Sequence, residues 1–249
     1  MEHKPAHRVN LDVVLDQPPL RIRYLPGTSD EMVLAFAGVG RTTDPEKEPG
    51  IEFYRIASGA GARHVLFITD RSRSWLNHGD IAEQIADFTL ATQKRTGARR
   101  ITALGNSMGG TMALLMARFL PLDAVLAIVP QYSVDPSIMP DEPNWKKLRN
   151  RIGQFRFAAV DYVPPTGQYF VLHGTLETEL LHALRFPMAA NLHHFVFAGA
   201  DHNLSIELKN NGHAQALVES ALAGEVEGFA TAAMAAGAVY RADFTGILA

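Results

Sequence analysis

A serine flanked by glycines is the feature of this sequence best suited to covalent chemistry. The pentapeptide GNSMG, at positions 105–109, follows an apolar run and precedes residues with helical spacing. That context is typical of the G-x-S-x-G nucleophile elbow, a strained strand-to-helix turn that exposes a serine hydroxyl. Glycines suit the flanking positions because neighbouring elements leave no room there for a Cβ atom. We therefore predict that Ser107 is a nucleophile; the alternative is an ordinary glycine-rich turn.

A serine hydroxyl is a weak nucleophile until a base removes its proton. In proteins with this elbow, the acid and then the histidine follow the serine along the chain, each after the end of a strand. Of the ten histidines, only His202 directly follows the last predicted strand, HHFVFAG at 193–199. His173 lies inside the end of another predicted strand, where we expect it to be packed. His202 is therefore the predicted general base.

Two glutamates compete for the role of the acid that would orient this histidine. Glu177 and Glu179 both follow the predicted strand YFVLHG at 169–174. We prefer Glu177, which lies three residues past the strand. The alternative for either residue is a glutamate that interacts with a helix dipole.

Two backbone amides are candidates for an oxyanion hole. The amide of Met108 would lie at the N-terminus of the helix after the elbow, where the helix dipole adds positive potential. The second donor is expected from the loop after the predicted strand MVLAFAG at 32–38, and the amide of Val39 is the best candidate. The alternative for Val39 is a position in a flexible turn.

The elements that must position these residues follow from the hydrophobic pattern. Six short runs are apolar on both faces, which is typical of parallel strands covered by helices. These runs span residues 32–38, 64–70, 100–106, 124–130, 169–174 and 193–199. Two earlier segments, at 7–15 and 20–27, alternate and predict an antiparallel edge pair. Because helical patterns fill the gaps, the sequence predicts an α/β fold with a doubly wound, mostly parallel sheet.

Three other segments have recognisable character. In residues 78–98, Asp80 and Glu83 have the spacing of a helical capping box, and a glycine ends the helical pattern. The stretch at 131–166 is interrupted by five prolines and is predicted to be a cap-like insertion. The Ala-rich stretch after Glu227 predicts a final helix.

Composition sets limits on partners and location. The chain has 249 residues, a net charge of −3 and no cysteine. This charge favours neither nucleic acid nor an anionic membrane as a partner, and no apolar run reaches the roughly 18 residues of a membrane span. The first residues contain no apolar segment typical of a signal peptide. We therefore expect a cytoplasmic protein, and one without a metal, because no histidine–carboxylate cluster has the spacing of metal ligands.

Four segments together resemble those of the α/β-hydrolase superfamily. FAGVG, GNSMGG, HGTLE and GADHN occur in the family's order and span nearly the whole chain. The resemblance implies a single α/β-hydrolase domain over residues 1–249 that hydrolyses an ester, thioester or amide, or transfers an acyl group, without a cofactor. The acid departs from the family pattern, in which Asp is usual. DRSRSWLN and VPQYSVDP also resemble segments of uncharacterised bacterial hydrolases found alongside polysaccharide-building proteins.

The resemblance leads us to expect a serine esterase that cleaves an acyl ester through an acyl-enzyme intermediate. The alternatives are an acyltransferase with the same triad, for example one that moves acetyl groups on a saccharide, and a catalytically silent scaffold that binds a ligand. The expected substrate is a small-molecule or saccharide acyl ester.

Two residues just past the end of a predicted strand are candidates for substrate binding. Arg71 could hold an anionic group, and Trp75 could stack on a sugar or an acyl chain. The alternative is a structural ion pair and a core aromatic residue. Basic residues within 131–166 suit either an acidic substrate or a solvated helix face.

Overall fold

The computed structural model describes residues 11–40, 44 and 47–244. Within them the chain forms nine strands: β1 (Asp12–Gln17), β2 (Leu20–Leu25), β3 (Glu31–Phe36), β4 (His64–Asp70), β5 (Arg100–Asn106), β6 (Ala124–Ile128), β7 (Gln168–Gly174), β8 (Leu192–Phe197) and β9 (Ala238–Tyr240). All nine belong to one sheet with the order β1-β2-β4-β3-β5-β6-β7-β8-β9.

The six central strands, β3 to β8, are parallel, which confirms the expectation of a mostly parallel sheet. They correspond to the six apolar runs of the sequence, and side chains on both faces of these strands are buried. β1 and β2 form the antiparallel pair expected at the edge, and β2 is also antiparallel to β4. Residues 7–10 of the first predicted segment lie outside the described residues.

Eight α-helices cover the sheet within the same residues. They are α1 (Tyr54–Ala57), α2 (Ile81–Thr96), α3 (Met108–Met116), α4 (Lys146–Arg149), α5 (Glu179–Arg185), α6 (Leu204–Asn210), α7 (Ala214–Ala223) and α8 (Val226–Ala235). Side chains of α2 and α3 fill the core on one face, and those of α1, α6, α7 and α8 fill the core on the other. None of these helices is long and apolar enough to cross a membrane.

Helix α2 begins after Asp80 as predicted, but the capping box does not form. Asp80 makes no side-chain cap hydrogen bond, and its Oδ1 accepts a hydrogen bond from the Gln84 side chain at 2.7 Å. Glu83 instead pairs with Arg156, from the stretch between β6 and β7. Because Arg156 binds the Glu83 carboxylate in a bidentate ion pair, this carboxylate does not cap the helix.

The C-terminal part of the chain differs from the single helix expected after Glu227. Helix α8 ends at Ala235, and the chain then adds β9 antiparallel to β8. The alternation of buried Ala238 and exposed Val239 fits an edge strand, but three residues are too few for a reliable periodic signal. Residues 245–249 lie outside the described residues.

Residues 131–166, here called the β6–β7 segment, pack against the core on the α2 and α3 side. Leu148 and Val160 belong to that buried cluster. A buried hydrogen bond of 2.8 Å joins Glu142 to Nε2 of His182 on α5, and the amide of Tyr132 donates to Nδ1 of the same ring at 3.1 Å. Burial acts to raise the pKa of Glu142, but the bond from His182 and further hydrogen bonds outweigh burial and hold that pKa below its usual value. The hydrogen bonds to His182 thus anchor the β6–β7 segment to α5.

Gly105 offers a test of the packing at the strand-to-helix turn. A Cβ at this position would lie 2.2 Å from the carbonyl carbon of Gly109, so a methyl group fits only if the turn shifts. We expect Gly105→Ala to lower the free energy of unfolding by about 3 kcal/mol or more. Urea unfolding followed by circular dichroism measures this. Gly153→Ala, where a Cβ meets open space, is the matched control and should stay close to wild type. Equal stability of the two variants would contradict this account of the turn.

Candidate active site

Ser107 occupies the turn between β5 and α3 in a strained conformation. Its φ of 56° and ψ of −125° lie outside the regions that L-residues favour, a cost of about 1–3 kcal/mol. The close packing of the turn maintains this conformation. The amide of Ser107 donates to the Ile128 carbonyl at 2.8 Å, and a Cβ on Gly109 would lie only 2.4 Å from the Phe36 carbonyl oxygen. The strained serine between crowded glycines agrees with the geometry expected of the elbow.

A histidine and a carboxylate line up with this serine. His202, in the turn after β8, places Nε2 2.8 Å from Ser107 Oγ and Nδ1 2.7 Å from Glu179 Oε1. Glu179 is buried, whereas the His202 ring keeps a partly exposed edge. The imidazole can therefore accept a proton from the serine while the carboxylate stabilises the resulting positive charge.

The structure brings Glu179, and not the preferred Glu177, to His202. Glu177 is exposed and has a φ of 54°, so it belongs to a left-handed turn. The chain uses residues 175–178 for this turn, where the amides of Thr175 and Leu176 both donate to the carbonyl of Ala200. Glu179 is the first residue of α5 and is the glutamate that reaches His202.

The two predicted oxyanion donors lie at the same edge of the sheet. β3 and β5 pair with Phe36 opposite Gly105, so the loop containing Val39 and the start of α3 at Met108 follow neighbouring strand ends. Both residues are buried. Among the hydrogen bonds between described residues, none uses the amide of Val39 or of Met108. Both amides therefore have no acceptor among the residues that the structure describes, which is the state that an oxyanion hole requires.

Comparison with solved structures finds chains of similar fold. A capsule O-acetyltransferase of Neisseria meningitidis serogroup A is similar with a TM-score of 0.56 at 10% identity, over 82% of this chain and 93% of that one. An α/β serine hydrolase without lid from Xanthomonas campestris has a TM-score of 0.51 at 12% identity, over 89% of this chain and 96% of that one. A membrane phospholipase A has a TM-score of 0.51 at 18% identity, over 85% and 86%.

The chain has the α/β-hydrolase fold. No protein-family model matches the sequence, and no curated protein matches it in sequence either. The resemblance inferred from four short motifs is thus confirmed at the level of three-dimensional structure.

A buried carboxylate organises the loop beside the candidate site. Asp70, at the end of β4, is fully buried, and its two oxygens accept four hydrogen bonds, from the amide and hydroxyl of Ser72 and of Ser74. These bonds hold a loop in which Arg73 and Trp75 both have a left-handed φ of 52°. The buried Arg73 guanidinium donates from Nε to the carbonyl of Val39 at 2.9 Å. Asp70 thereby fixes, through Arg73, the loop that carries a candidate oxyanion donor.

The two candidate substrate-binding residues have protein partners in the structure. Arg71 pairs with Asp16 on β1 at 2.6 Å and bonds the Pro19 carbonyl, so it ties the edge strands together. Trp75 is 1% exposed, and its indole Nε1 donates to the side chain of Gln131. Both contacts favour the structural alternatives, an ion pair and a core aromatic residue, and the structure brings neither side chain to Ser107 directly.

Two residues next to the nucleophile were missed by the sequence reasoning. Gln131 Nε2 lies 3.1 Å from Ser107 Oγ, and the ring of Trp145, from the β6–β7 segment, lies 5.4 Å from the His202 ring and 6.1 Å from that of Trp75. Gln131 had a readable signal: it follows β6, the neighbour of β5, and therefore comes out at the same sheet edge as the serine. Trp145 lies in irregular chain, where no period predicts its position.

The other buried histidines have structural partners. His173 places Nε2 2.8 Å from the Pro130 carbonyl and Nδ1 2.9 Å from Nε2 of His194. Burial lowers the pKa of His173 to about 3, so the ring is neutral and packed, as expected. No group of three or more potential ligand side chains is placed to hold a metal in the part of the chain that the structure describes.

A half-buried acid, Glu52, lies behind the elbow. Glu52 accepts a hydrogen bond from the amide of Gly38 at 3.3 Å and borders a cavity of about 910 Å³ that also reaches Asn106. Burial raises the pKa of Glu52 to about 7, against the opposing effect of the Gly38 bond. The carboxyl is therefore about half protonated near pH 7 and largely protonated below it, which reduces the negative charge beside the Val39 loop.

The raised pKa predicts a specific dependence of stability on pH. The unfolded chain ionises Glu52 near pH 4.5, whereas the folded chain keeps it protonated until about pH 7. Glu52 therefore destabilises the fold progressively between these values, and fully above the upper one. We expect the stability advantage of Glu52→Gln over wild type to be larger at pH 8 than at pH 4.5, by on the order of 2–3 kcal/mol.

Urea unfolding at both pH values measures this difference. Glu207→Gln, at an exposed glutamate, is the matched control and should differ from wild type by the same amount at both pH values. An advantage of Glu52→Gln that does not change with pH would contradict the burial of an ionisable acid behind the elbow.

Proposed function

We propose that this protein is a serine hydrolase that cleaves acyl esters with Ser107, His202 and Glu179 as its catalytic triad. One observation carries the proposal: His202 bonds Ser107 Oγ at 2.8 Å through one ring nitrogen and Glu179 at 2.7 Å through the other. An arrangement of this kind serves proton transfer, and neither packing nor simple ligand binding requires it.

In the first half-reaction, Ser107 Oγ attacks the carbonyl carbon of the ester, and its proton passes to Nε2 of His202. The Nδ1 proton of the ring stays on its bond to Glu179, which stabilises the imidazolium. The amides of Met108 and Val39 hold the negative oxygen of the tetrahedral intermediate. The bond to the alcohol then breaks, and Nε2 returns its proton to the leaving alkoxide.

In the second half-reaction, water attacks the acyl-enzyme and gives a proton to Nε2 of His202. Collapse of the second tetrahedral intermediate breaks the bond to Ser107 Oγ, which takes the proton back from the ring. The products are the free acid and the regenerated enzyme, and no cofactor enters either step.

The substrate class follows from the wall beside the histidine. The Trp145 ring lies 5.4 Å from the His202 ring at an angle of 55°, so an apolar indole surface borders the imidazole that would face the ester. Such a surface suits an acyl chain or the apolar face of a sugar. A small-molecule or saccharide acyl ester is the proposed substrate.

Transfer of the acyl group to an alcohol is the second candidate. Two observations favour it. Ser107 is only 4% exposed beneath the β6–β7 segment, which restricts water, and the chain is similar in fold to a capsule O-acetyltransferase. With an acetyl ester and an acceptor sugar present together, the ratio of acetylated sugar to free acetate separates transfer from hydrolysis.

Covalent labelling tests the nucleophile directly. We expect a fluorophosphonate probe to label the wild-type protein and to leave Ser107→Ala unlabelled, because phosphonylation requires the activated hydroxyl. Labelling is read by mass spectrometry, followed by turnover of short acyl esters, thioesters and acetylated sugars. Labelling that persists in Ser107→Ala would disprove the assignment.

The two competing glutamates provide a matched pair of variants. Glu179→Gln should lower kcat on the best ester by about 10³–10⁴-fold, because the amide no longer stabilises the charged imidazole in its correct tautomer. Glu177→Gln, two residues away and exposed, should keep activity within about twofold of wild type, as surface substitutions usually do. Steady-state kinetics at pH 8 measure both. A larger loss in Glu177→Gln than in Glu179→Gln would refute the proposed acid.

A further inference from the structure

Ser107 Oγ has a second hydrogen-bond partner that the triad does not explain. Gln131 Nε2 lies 3.1 Å from Ser107 Oγ and can donate to it, whereas His202 accepts the serine proton. Gln131 is 1% exposed, so water does not compete for this bond. Its backbone is also fixed, because the hydroxyl of Thr111 donates to the Gln131 carbonyl at 2.9 Å.

The orientation of the Gln131 amide is set by Trp75. An indole nitrogen can only donate a hydrogen bond, so the side-chain atom 2.9 Å from Trp75 Nε1 must be the carbonyl oxygen of the amide. The amide nitrogen of Gln131 is then the atom that faces Ser107. An amide nitrogen has no acceptor capacity, so Ser107 Oγ must accept from it.

This acceptance decides where the serine proton goes. With one lone pair of Oγ taken by Gln131, the hydroxyl hydrogen points to the remaining strong acceptor, Nε2 of His202. The ring must then carry its proton on Nδ1, where the buried carboxylate of Glu179 accepts it. The hydrogen bonds therefore form a chain from Trp75 through Gln131, Ser107 and His202 to Glu179, in which each residue donates to the next.

We propose that Gln131 is a positioning residue for Ser107 and that Trp75 acts on catalysis only by orienting Gln131. Gln131 holds Oγ in the rotamer that directs its proton to His202, and its N–H stabilises the negative charge that Oγ carries as its proton departs and again when it leaves the acyl-enzyme. This inference rests on the proposed role of Ser107 as nucleophile.

Gln131→Met tests the positioning role, because methionine matches glutamine in length and has no N–H. We expect the rate constant of fluorophosphonate labelling to fall by about 10- to 100-fold, at or below the roughly 10²–10³-fold cost of removing one donor to the oxyanion itself. For a p-nitrophenyl ester, kcat should fall by a similar factor with KM within about twofold, because the lost bond orients the nucleophile rather than the substrate. Gln168→Met removes a Gln side chain bonded to His193 at the far end of β7, and should label at the wild-type rate.

A double-mutant cycle tests the dependence on Trp75. Trp75→Phe keeps a buried ring but removes the N–H, and we expect it to slow labelling by about fivefold in the wild-type background and not at all in the Gln131→Met background. If Gln131→Met does not fold, Trp75→Phe alone carries the test, since a free amide turns its oxygen toward Ser107 in part of the population.

Two results would overturn the inference. One is labelling of folded Gln131→Met within twofold of wild type. The other is a double variant in which the effects of the two substitutions multiply, since Trp75 would then act independently of Gln131. Wild-type labelling that does not depend on Ser107 would instead refute the proposed function, so the two failures are distinguishable.

Discussion

The hydrogen bond between Ser107 Oγ and His202 Nε2 joins residues 95 positions apart in the chain, and the rest of the site depends on it. Parallel strands make it possible, because the ends of β5, β7 and β8 all come out at one edge of the sheet. The bond also depends on local strain. Ser107 keeps its unfavourable backbone angles because Gly105 and Gly109 allow strand, helix and neighbouring carbonyls to pack more closely than any side chain would permit. The close packing around the turn thus holds the backbone of a single residue in a strained conformation.

A second buried interaction supports the surroundings of that bond. Asp70 is a fully buried carboxylate, and a charge in that position is tolerable only because four donors satisfy its oxygens. The loop that it organises supplies Arg73 to the Val39 carbonyl and Trp75 to Gln131. Asp70 thus positions both the Val39 loop and Gln131, although it does not itself approach the reacting atoms.

The fold was largely predictable because its strongest signals are periodic. Six buried parallel strands read as continuous apolar runs, and the elbow sits between a strand and a helix, each recognisable from its own pattern. His202 was predictable for the same reason, since it follows a clear strand. Short-range geometry was harder to predict: a left-handed turn at Glu177 leaves Glu179 as the glutamate that contacts His202, which no count of residues from the strand end reveals.

The sequence pattern also could not predict the contacts made by irregular segments of the chain. Trp145 reaches His202 because the β6–β7 segment is held to α5 through Glu142 and His182, a pairing between distant side chains. The capping box of α2 failed for a related reason, since Arg156 from the same segment takes the Glu83 carboxylate. Local propensity is decided within a few residues, whereas these outcomes are decided by tertiary partners.

The two indole rings near Ser107 and His202 have a spectroscopic consequence. The chain contains two tryptophans, and both lie beside this site: the Trp145 ring is 5.4 Å from the imidazole of His202, and Trp75 donates a hydrogen bond to Gln131. The tryptophan fluorescence of the whole protein therefore originates beside the candidate site. Indole emission responds to nearby charge, so the unlabelled protein contains its own optical reporter of ring protonation and of any molecule that displaces Trp145.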